Sequence, residues 1–299
     1  MIDSNRNQDY PDRSLRWLSS INPTSREESE SLRLLQQKMQ AYYSSFTDYY
    51  EKYVTHGPWK DESHLVYQDI ISHICFINGN VLEIGCGTAS ILTNKKILHS
   101  SYTGIDFSEK LINNNQALYP DAHFLQLTDP NKLPFESNTF DFVLSVYVLE
   151  HTVFPHLFLD EVNRVLKKGG VLCVVCPNFL GKGKITSQRK GFSPGTGSKK
   201  LKEGKIFDAI VSSFDAKIRI PLLSHFYRKS ALNKPQFFVN IQPVCFSDPF
   251  MPDVDAIYLT FEPEIKVYLG ESFNFPTPNK SLQEFLDFYN LIYLLGYKH

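Results

Sequence analysis

Val81-Leu82-Glu83-Ile84-Gly85-Cys86-Gly87-Thr88-Ala89 is the stretch from which the fold is read. It places an acid at a strand end, then a Gly-x-Gly turn, then a helix expected over about 89–99. Glycine suits such a turn because the backbone bends sharply and, with no Cβ, comes close to a ligand. Outward from this point, short apolar runs at 81–84, 102–105, 122–126, 140–146 and 171–176 alternate with helical segments at about 89–99, 108–118 and 156–167. Strand and helix alternating at this spacing predict a mostly parallel sheet with helices on both faces. Lys167-Lys168-Gly169-Gly170 reads as a helix C-terminus, with cations in the last turn and glycines just past it.

A lone Gly-x-Gly serves more than one cofactor class. In the dinucleotide fingerprint G-x-G-x-x-G the third glycine would fall at position 90, which is Ser90. The Glu83 carboxylate beside the turn would also repel a pyrophosphate, whereas it suits a cofactor carrying an amine and a sulfonium. Tyr102-Thr103-Gly104-Ile105-Asp106 is a second strand ending in an acid, placed to accept both hydroxyls of a ribose. Next, Asp129 follows the third strand and precedes the turn Leu133-Pro134-Phe135, and Phe140-Asp141-Phe142-Val143 opens the fourth strand.

These four motifs in register, over about residues 81–178, resemble the class I methyltransferases, and within them the group similar to the ubiquinone and menaquinone biosynthesis methyltransferases. The resemblance implies an α/β, Rossmann-like fold and S-adenosyl-L-methionine as cofactor. By the same resemblance Glu83, Gly85 and Gly87 contact the methionine portion, Asp106 holds the ribose hydroxyls and Asp129 the adenine amino group. Their neighbours Cys86, Phe107 and Pro130 join the expected cofactor-binding set. Ser145-Val146 and Leu149-Glu150-His151 resemble the segment that borders the reactive methyl. Ala89 departs from the family, which usually has a third glycine there; its methyl is small, so tighter packing with retained binding is expected. Phe46-Thr47-Asp48-Tyr49-Tyr50 resembles the pre-core helix. Tyr49 and Tyr50 either cover the sulfonium through cation–π contact or form the packing stripe of their helix. His151 is placed as a general base or as a structural hydrogen-bonding residue at a helix start. Displacement at a carbon already activated by a positive sulfur requires no metal.

The rest of the chain is organised around this core. Residues 1–24 read as a flexible leader, 25–79 as N-terminal helices covering the cofactor site, 80–178 as the core, 179–250 as a lid or cap insertion and 251–299 as a part completing the core. Ser25-Arg26-Glu27-Glu28 is a capping box ahead of an amphipathic run through Leu32, Leu35, Met39, Tyr42 and Phe46. A second helix is expected over about 61–76. From Leu180 to Lys205 eight Lys or Arg face only Glu203, among six glycines, and a mobile lid is expected there. The tail predicts a strand at 256–259, a short helix from Pro263 to about Gly270 and an amphipathic helix at 282–295.

A net charge of −1 gives no basic footprint for nucleic acid across the chain as a whole. No apolar run approaches the roughly 20 residues of a membrane span. The N-terminus lacks the pattern of a signal peptide, so a cytoplasmic setting is expected. Cys173 and Cys176 form a C-x-x-C inside an apolar strand, where positions three apart face opposite sides of the sheet and cannot clasp one metal. The expected partner is a small-molecule acceptor methylated at O or N, such as a secondary metabolite. The alternatives are C-methylation of a quinone or lipid precursor, and a cofactor-binding protein without turnover.

Overall fold

Five runs too short for helices, four of them carrying β-branched residues, become neighbouring strands in the computed structural model, which describes residues 16–45, 64–181, 191–193, 195–243 and 257–299. After β1 (Trp17–Ser19), α1 (Arg26–Ser45) and α2 (Leu65–Ile77), the core runs β2 (Val81–Ile84), β3 (Tyr102–Asp106), α3 (Glu109–Leu118), β4 (His123–Gln126), β5 (Phe140–Val146), α4 (Pro155–Val165) and β6 (Leu166–Pro177). Beyond it lie α5 (Gly197–Lys202), α6 (Ile206–Phe214), α7 (Ile220–Asn233), β7 (Phe238–Asn240), α8 (Glu262–Leu269), β8 (Phe273–Asn274), α9 (Lys280–Tyr289) and β9 (Leu291–Lys298).

The main sheet has seven strands in the order β4-β3-β2-β5-β6-β9-β8. Strands β2 to β6 pair in parallel and β9 runs antiparallel to both β6 and β8. The order in which strands are added reverses between β2 and β5, and in open α/β sheets ligands bind outside the carboxyl ends of the strands at such a switch point. Side-chain alternation splits the core into two faces. Leu82, Ile84, Val143, Val174 and Cys176 pack with α1, α4 and α8 on one face. Val81, Phe142, Leu144, Cys173 and Val175 pack with α2 and α9 on the other.

The capping box forms with a shift. Ser25 Oγ accepts from Glu28 N at 3.1 Å, while the Glu28 carboxylate accepts from the amide and hydroxyl of Thr24. The second helix starts at Leu65 and packs against the sheet face opposite α1, so of the two N-terminal helices only α1 lies on the side of the cleft described below. The leader is not loose throughout: Trp17–Ser19 pairs antiparallel with β7, and Trp17 is buried against Tyr227.

Several sequence expectations are corrected. In place of a helix over 89–99 there are two short 3-10 turns, Ser90–Thr93 and His99–Ser101. Thr93 Oγ1 donates to the Ser90 carbonyl and Asn94 Oδ1 accepts from Lys96 N, local bonds that compete with a helical ladder. Helix α4 ends at Val165, and Leu166–Gly170 already belongs to β6, since Leu166 pairs with Phe140 and Lys167 Nζ reaches Asp141 Oδ2 at 2.8 Å. The expected strand at 256–259 is a single bridge, Val239 to Tyr258. The expected helix at 282–295 spans Lys280–Tyr289 and stops at Asn290, whose φ is 56°. Residues Ile292 to Leu295 bury both alternating faces, which suits a strand at the centre of a sheet and not an amphipathic helix. The glycine- and lysine-rich insert is also partly built. Lys200 is fully buried, 3.5 Å from Asp208, and Asp208 accepts from Phe192 N and Ser193 Oγ. Residues 182–190 lie outside the described part.

Cys173 and Cys176 are fully buried and belong to opposite faces of β6. Burial pushes both thiols up, away from the thiolate that a metal needs. Purified protein should therefore carry no stoichiometric zinc by elemental analysis. Cys176→Ser should cost about 1–3 kcal/mol of stability, the scale for a buried hydroxyl short of a partner, and leave cofactor affinity unchanged; zinc at one per chain, lost with that variant, would overturn the assignment.

Candidate active site

The turn after β2 is held by three left-handed residues at alternate positions, Gly85 (φ 68°), Gly87 (φ 51°) and Ala89 (φ 49°). A Cβ at Gly85 would sit 2.3 Å from Val148 Cγ2, so only glycine lets the turn and the segment after β5 approach. The amides of Gly85 and Cys86 both donate to the Ile105 carbonyl, at 2.8 and 3.0 Å. Asn115 Nδ2, from α3, donates to the Gly87 carbonyl at 2.8 Å. Ala89 is fully buried in the left-handed region that favours glycine, so its methyl is accommodated at a backbone cost of about 1–2 kcal/mol.

Asp106 closes the turn from the β3 side. Its Oδ2 accepts from Gly87 N and its Oδ1 from Ser108 N, both at 3.0 Å. Burial pushes this carboxyl up, against the backbone amides of Ser108, Gly87 and Phe107 that pull it down. Glu83 lies deeper, accepting from the Tyr102 hydroxyl. Burial, opposed by that hydrogen bond and reinforced by the charge of Asp106, pushes it up to about 7. Two acids crowded beneath one turn create a local demand for positive charge.

Above the turn is a partly open cleft at the carboxyl ends of the strands. Its walls come from Gln36, Met39, Gln40 and Tyr43 on α1, from Ile84, Gly85, Asp106 and Phe107 at the ends of β2 and β3, and from Leu127, Pro130, Asn131 and Leu133 after β4. Tyr147, Val148, His151, Thr152, Val153 and Phe158 complete it. Helix α1 is tied down by Gln40 Nε2, which donates to the Thr128 carbonyl at 2.6 Å. Tyr147 (φ 55°) is a bulky residue in the left-handed region at the wall of the cleft, a strain that clusters at functional sites. His151 ends a 3-10 turn, Leu149–His151, and its ring centroid is 5.5 Å from that of Tyr43. The Glu150 carbonyl in the same turn accepts from Ile257 N and Tyr258 N, at 2.8 and 2.9 Å, so the region beneath the cap is bonded to the turn that carries His151.

Of the expected site residues, Gly85, Asp106, Phe107, Pro130 and His151 meet in the cleft. Glu83, Cys86 and Gly87 lie behind or beneath its wall, where Cys86 is buried beside Asn115 and Gly87 braces Asp106. Asp129 is exposed and its Oδ1 accepts from Asn131 N at 2.9 Å, so it shapes the turn that presents Pro130 and Asn131. Ser145 is fully buried within β5 beside Ile84 and is not part of the wall. Tyr49 and Tyr50 lie outside the described residues. Tyr43 was missed, although the helical spacing of Gln36, Met39, Gln40 and Tyr43 puts them on one face. Tyr147 carried no signal, because its backbone conformation is not written in its side chain.

The family of the methyltransferase domain matches residues 82–174. The chain carries a class I S-adenosylmethionine-dependent methyltransferase domain. Similar proteins include a demethylmenaquinone methyltransferase of Staphylococcus saprophyticus, 38% identical over 100 residues, which are 32% of this chain and 42% of the relative. A phthiotriol/phenolphthiotriol dimycocerosates methyltransferase of Mycobacterium ulcerans is 38% identical over 128 residues, 40% of this chain and 45% of the relative. A ubiquinone/menaquinone biosynthesis C-methyltransferase of Desulfotalea psychrophila is 37% identical over 98 residues, 31% and 39% of the two chains. The chain thus spans less than half the length of each of these relatives.

S-adenosylmethionine is the cofactor of the domain, and the cleft of this chain fits it. A cradle at Gly85 that any Cβ would fill, a buried carboxylate at Asp106 with unused lone pairs, and a net demand for cations match a ribose-bearing sulfonium. Asp106→Ala should weaken S-adenosylmethionine binding by about 1.5–3 kcal/mol, roughly ten- to hundredfold. Unchanged affinity by calorimetry in a folded variant would remove the ribose-anchor role. Glu83 yields a pH prediction. Its folded value near 7 exceeds its ordinary 4.5, so the folded chain holds the extra proton between them. Its contribution to stability is present in full below the lower value and is lost as pH rises through the upper one. A cationic ligand favours the ionised form, so affinity should climb with pH across the same window. Glu83→Gln should flatten both trends in melting and calorimetric series from pH ~5 to ~8; a slope that survives the change would assign the titration elsewhere.

Proposed function

We propose that this protein transfers the methyl group of S-adenosylmethionine to an apolar small molecule of the quinone- or lipid-precursor class. One observation carries the reading: the cleft that takes in Gly85 and Asp106 is walled by Met39, Leu133, Val148, Val153 and Phe158, and holds His151 and Tyr43 in that apolar surface. The activities for which the similar proteins are named, on demethylmenaquinone, on phthiotriol dimycocerosates and at a carbon in quinone biosynthesis, favour the same class of acceptor. Among the described residues no helix is long and apolar enough to cross a membrane.

The cofactor supplies an electrophilic methyl on a positively charged sulfur. The protein's own residues then do four things. Asp106 would accept hydrogen bonds from the ribose hydroxyls. Glu83 and Asp106 favour the positive charge. The apolar wall keeps water from the reacting atoms. His151 takes the proton of the acceptor hydroxyl. A hydroquinone becomes nucleophilic at oxygen and at the ring carbons once that proton is lost, so a base at the hydroxyl serves oxygen and carbon methylation alike.

The test is a radiolabelled methyl-transfer assay on a panel of prenylated hydroquinones, simple phenols and amines. Label should appear in the prenylated hydroquinones, and His151→Ala should cut that turnover by about 10²–10⁴-fold with cofactor affinity nearly constant. Label confined to amines would overturn the acceptor class, and normal turnover in His151→Ala would remove the base.

A further inference from the structure

Helices α6 and α7 are joined by a π-helical turn, Asp215–Arg219, into one continuous helix from Ile206 to Asn233. At about 1.5 Å per residue such a helix extends for about 40 Å. Its inner side packs Ile220 and Ala231 against Leu180, Leu259 and Phe261. Its outer side carries Phe207, Ile210, Phe214, Ile218, Leu222 and Phe226, each between 47% and 70% exposed. A four-residue repeat on an α-helix drifts by about 40° per step. The π turn lies within the repeat from Ile210 to Phe226 and takes back much of that drift, and Phe207 is set three residues before Ile210, so the six side chains stay on one side of the helix. Soluble proteins rarely expose so long a contiguous apolar strip without a use for it.

The charges beside the stripe are one-sided. Residues 196–234 contain nine Lys or Arg and three Asp or Glu in a chain whose net charge is −1. The acids are turned away or paired: Asp215 is fully buried against Arg219, Asp208 sits with Lys200, and Glu203 with Lys205. Lys217, Lys229 and Lys234 face outward. A second copy laid on this face would bring lysines against lysines. We infer that the stripe lies in the interface of a membrane rich in anionic lipid, with its six apolar side chains among the acyl chains and its lysines at the headgroups. Leu180, which anchors the helix, follows β6 at the carboxyl end of the sheet, the end at which the cleft opens. An acceptor dissolved in the bilayer would thus be met on the side of the cleft. The docking itself does not depend on the proposed acceptor.

The test is co-sedimentation of the full chain with vesicles of phosphatidylcholine alone or mixed with phosphatidylglycerol, without methyl donor. Binding is expected to the mixed vesicles and to weaken at least tenfold on phosphatidylcholine alone. Phe214→Glu with Leu222→Glu should abolish it, and Lys217→Glu with Lys229→Glu should weaken it at least tenfold, both variants keeping normal S-adenosylmethionine affinity as proof of folding. Full-length protein that stays in the supernatant with mixed vesicles, or that binds equally well with the Phe214→Glu and Leu222→Glu changes, would overturn the inference. So would a dimer in sedimentation that those two changes dissolve, since the stripe would then be covered by a second copy. Methyl transfer is read in a separate assay, so either proposal can fail alone.

Discussion

Two backbone segments meet at Gly85, and their contact sets the geometry of everything above it. The turn after β2 passes so close to Val148 that no side chain fits between them, and Val148 leads directly into the turn that holds His151. The two ends of the switch point are thereby locked at van der Waals distance. Asp106 completes the lock by accepting from the Gly87 amide, so the residue expected to hold the ribose also holds the glycine turn. Support of the turn keeps this carboxylate buried, and that burial is what pushes its protonation upward.

The cap is joined to the same lock. The paired amides of Ile257 and Tyr258 on the Glu150 carbonyl bring the segment beneath the cap helices to the neighbour of His151. The far side of that segment is paired through β7 to β1, so Trp17, near the start of the described chain, helps seat it.

The five parallel strands were legible because each is an apolar run too short for a helix and bounded by turn residues, and the cleft was legible wherever a motif fixes backbone, as at Gly85 and Asp106. Long-range pairing was less visible. Leu291 to Lys298 has a composition compatible with helix, and only its antiparallel place between β6 and β8 makes it a strand. Trp17 looked like part of a leader because its partner lies more than two hundred residues away. Lys200, in a run of lysines, gives no sign of being the buried one until Asp208 is placed beside it. Tyr43 was readable in principle from helical spacing, but the tyrosine pairs further along the chain carried a stronger family signal.

The exchange of the expected helix after Ala89 for a four-residue 3-10 turn bears on ligand choice. A long α-helix aimed at a binding site presents the positive end of its summed peptide dipoles, which is what draws a pyrophosphate to dinucleotide folds. Four residues in 3-10 geometry sum to little of that dipole, and the acids at Glu83 and Asp106, wherever they are ionised, add negative charge at the same point. The site is thus electrostatically inverted with respect to a phosphate cradle. Nucleotides that share the adenosine moiety of the cofactor but carry phosphates in place of its cationic tail meet an unfavourable field here, so abundant cellular ATP and dinucleotides should be poor competitors without any steric barrier having been built against them.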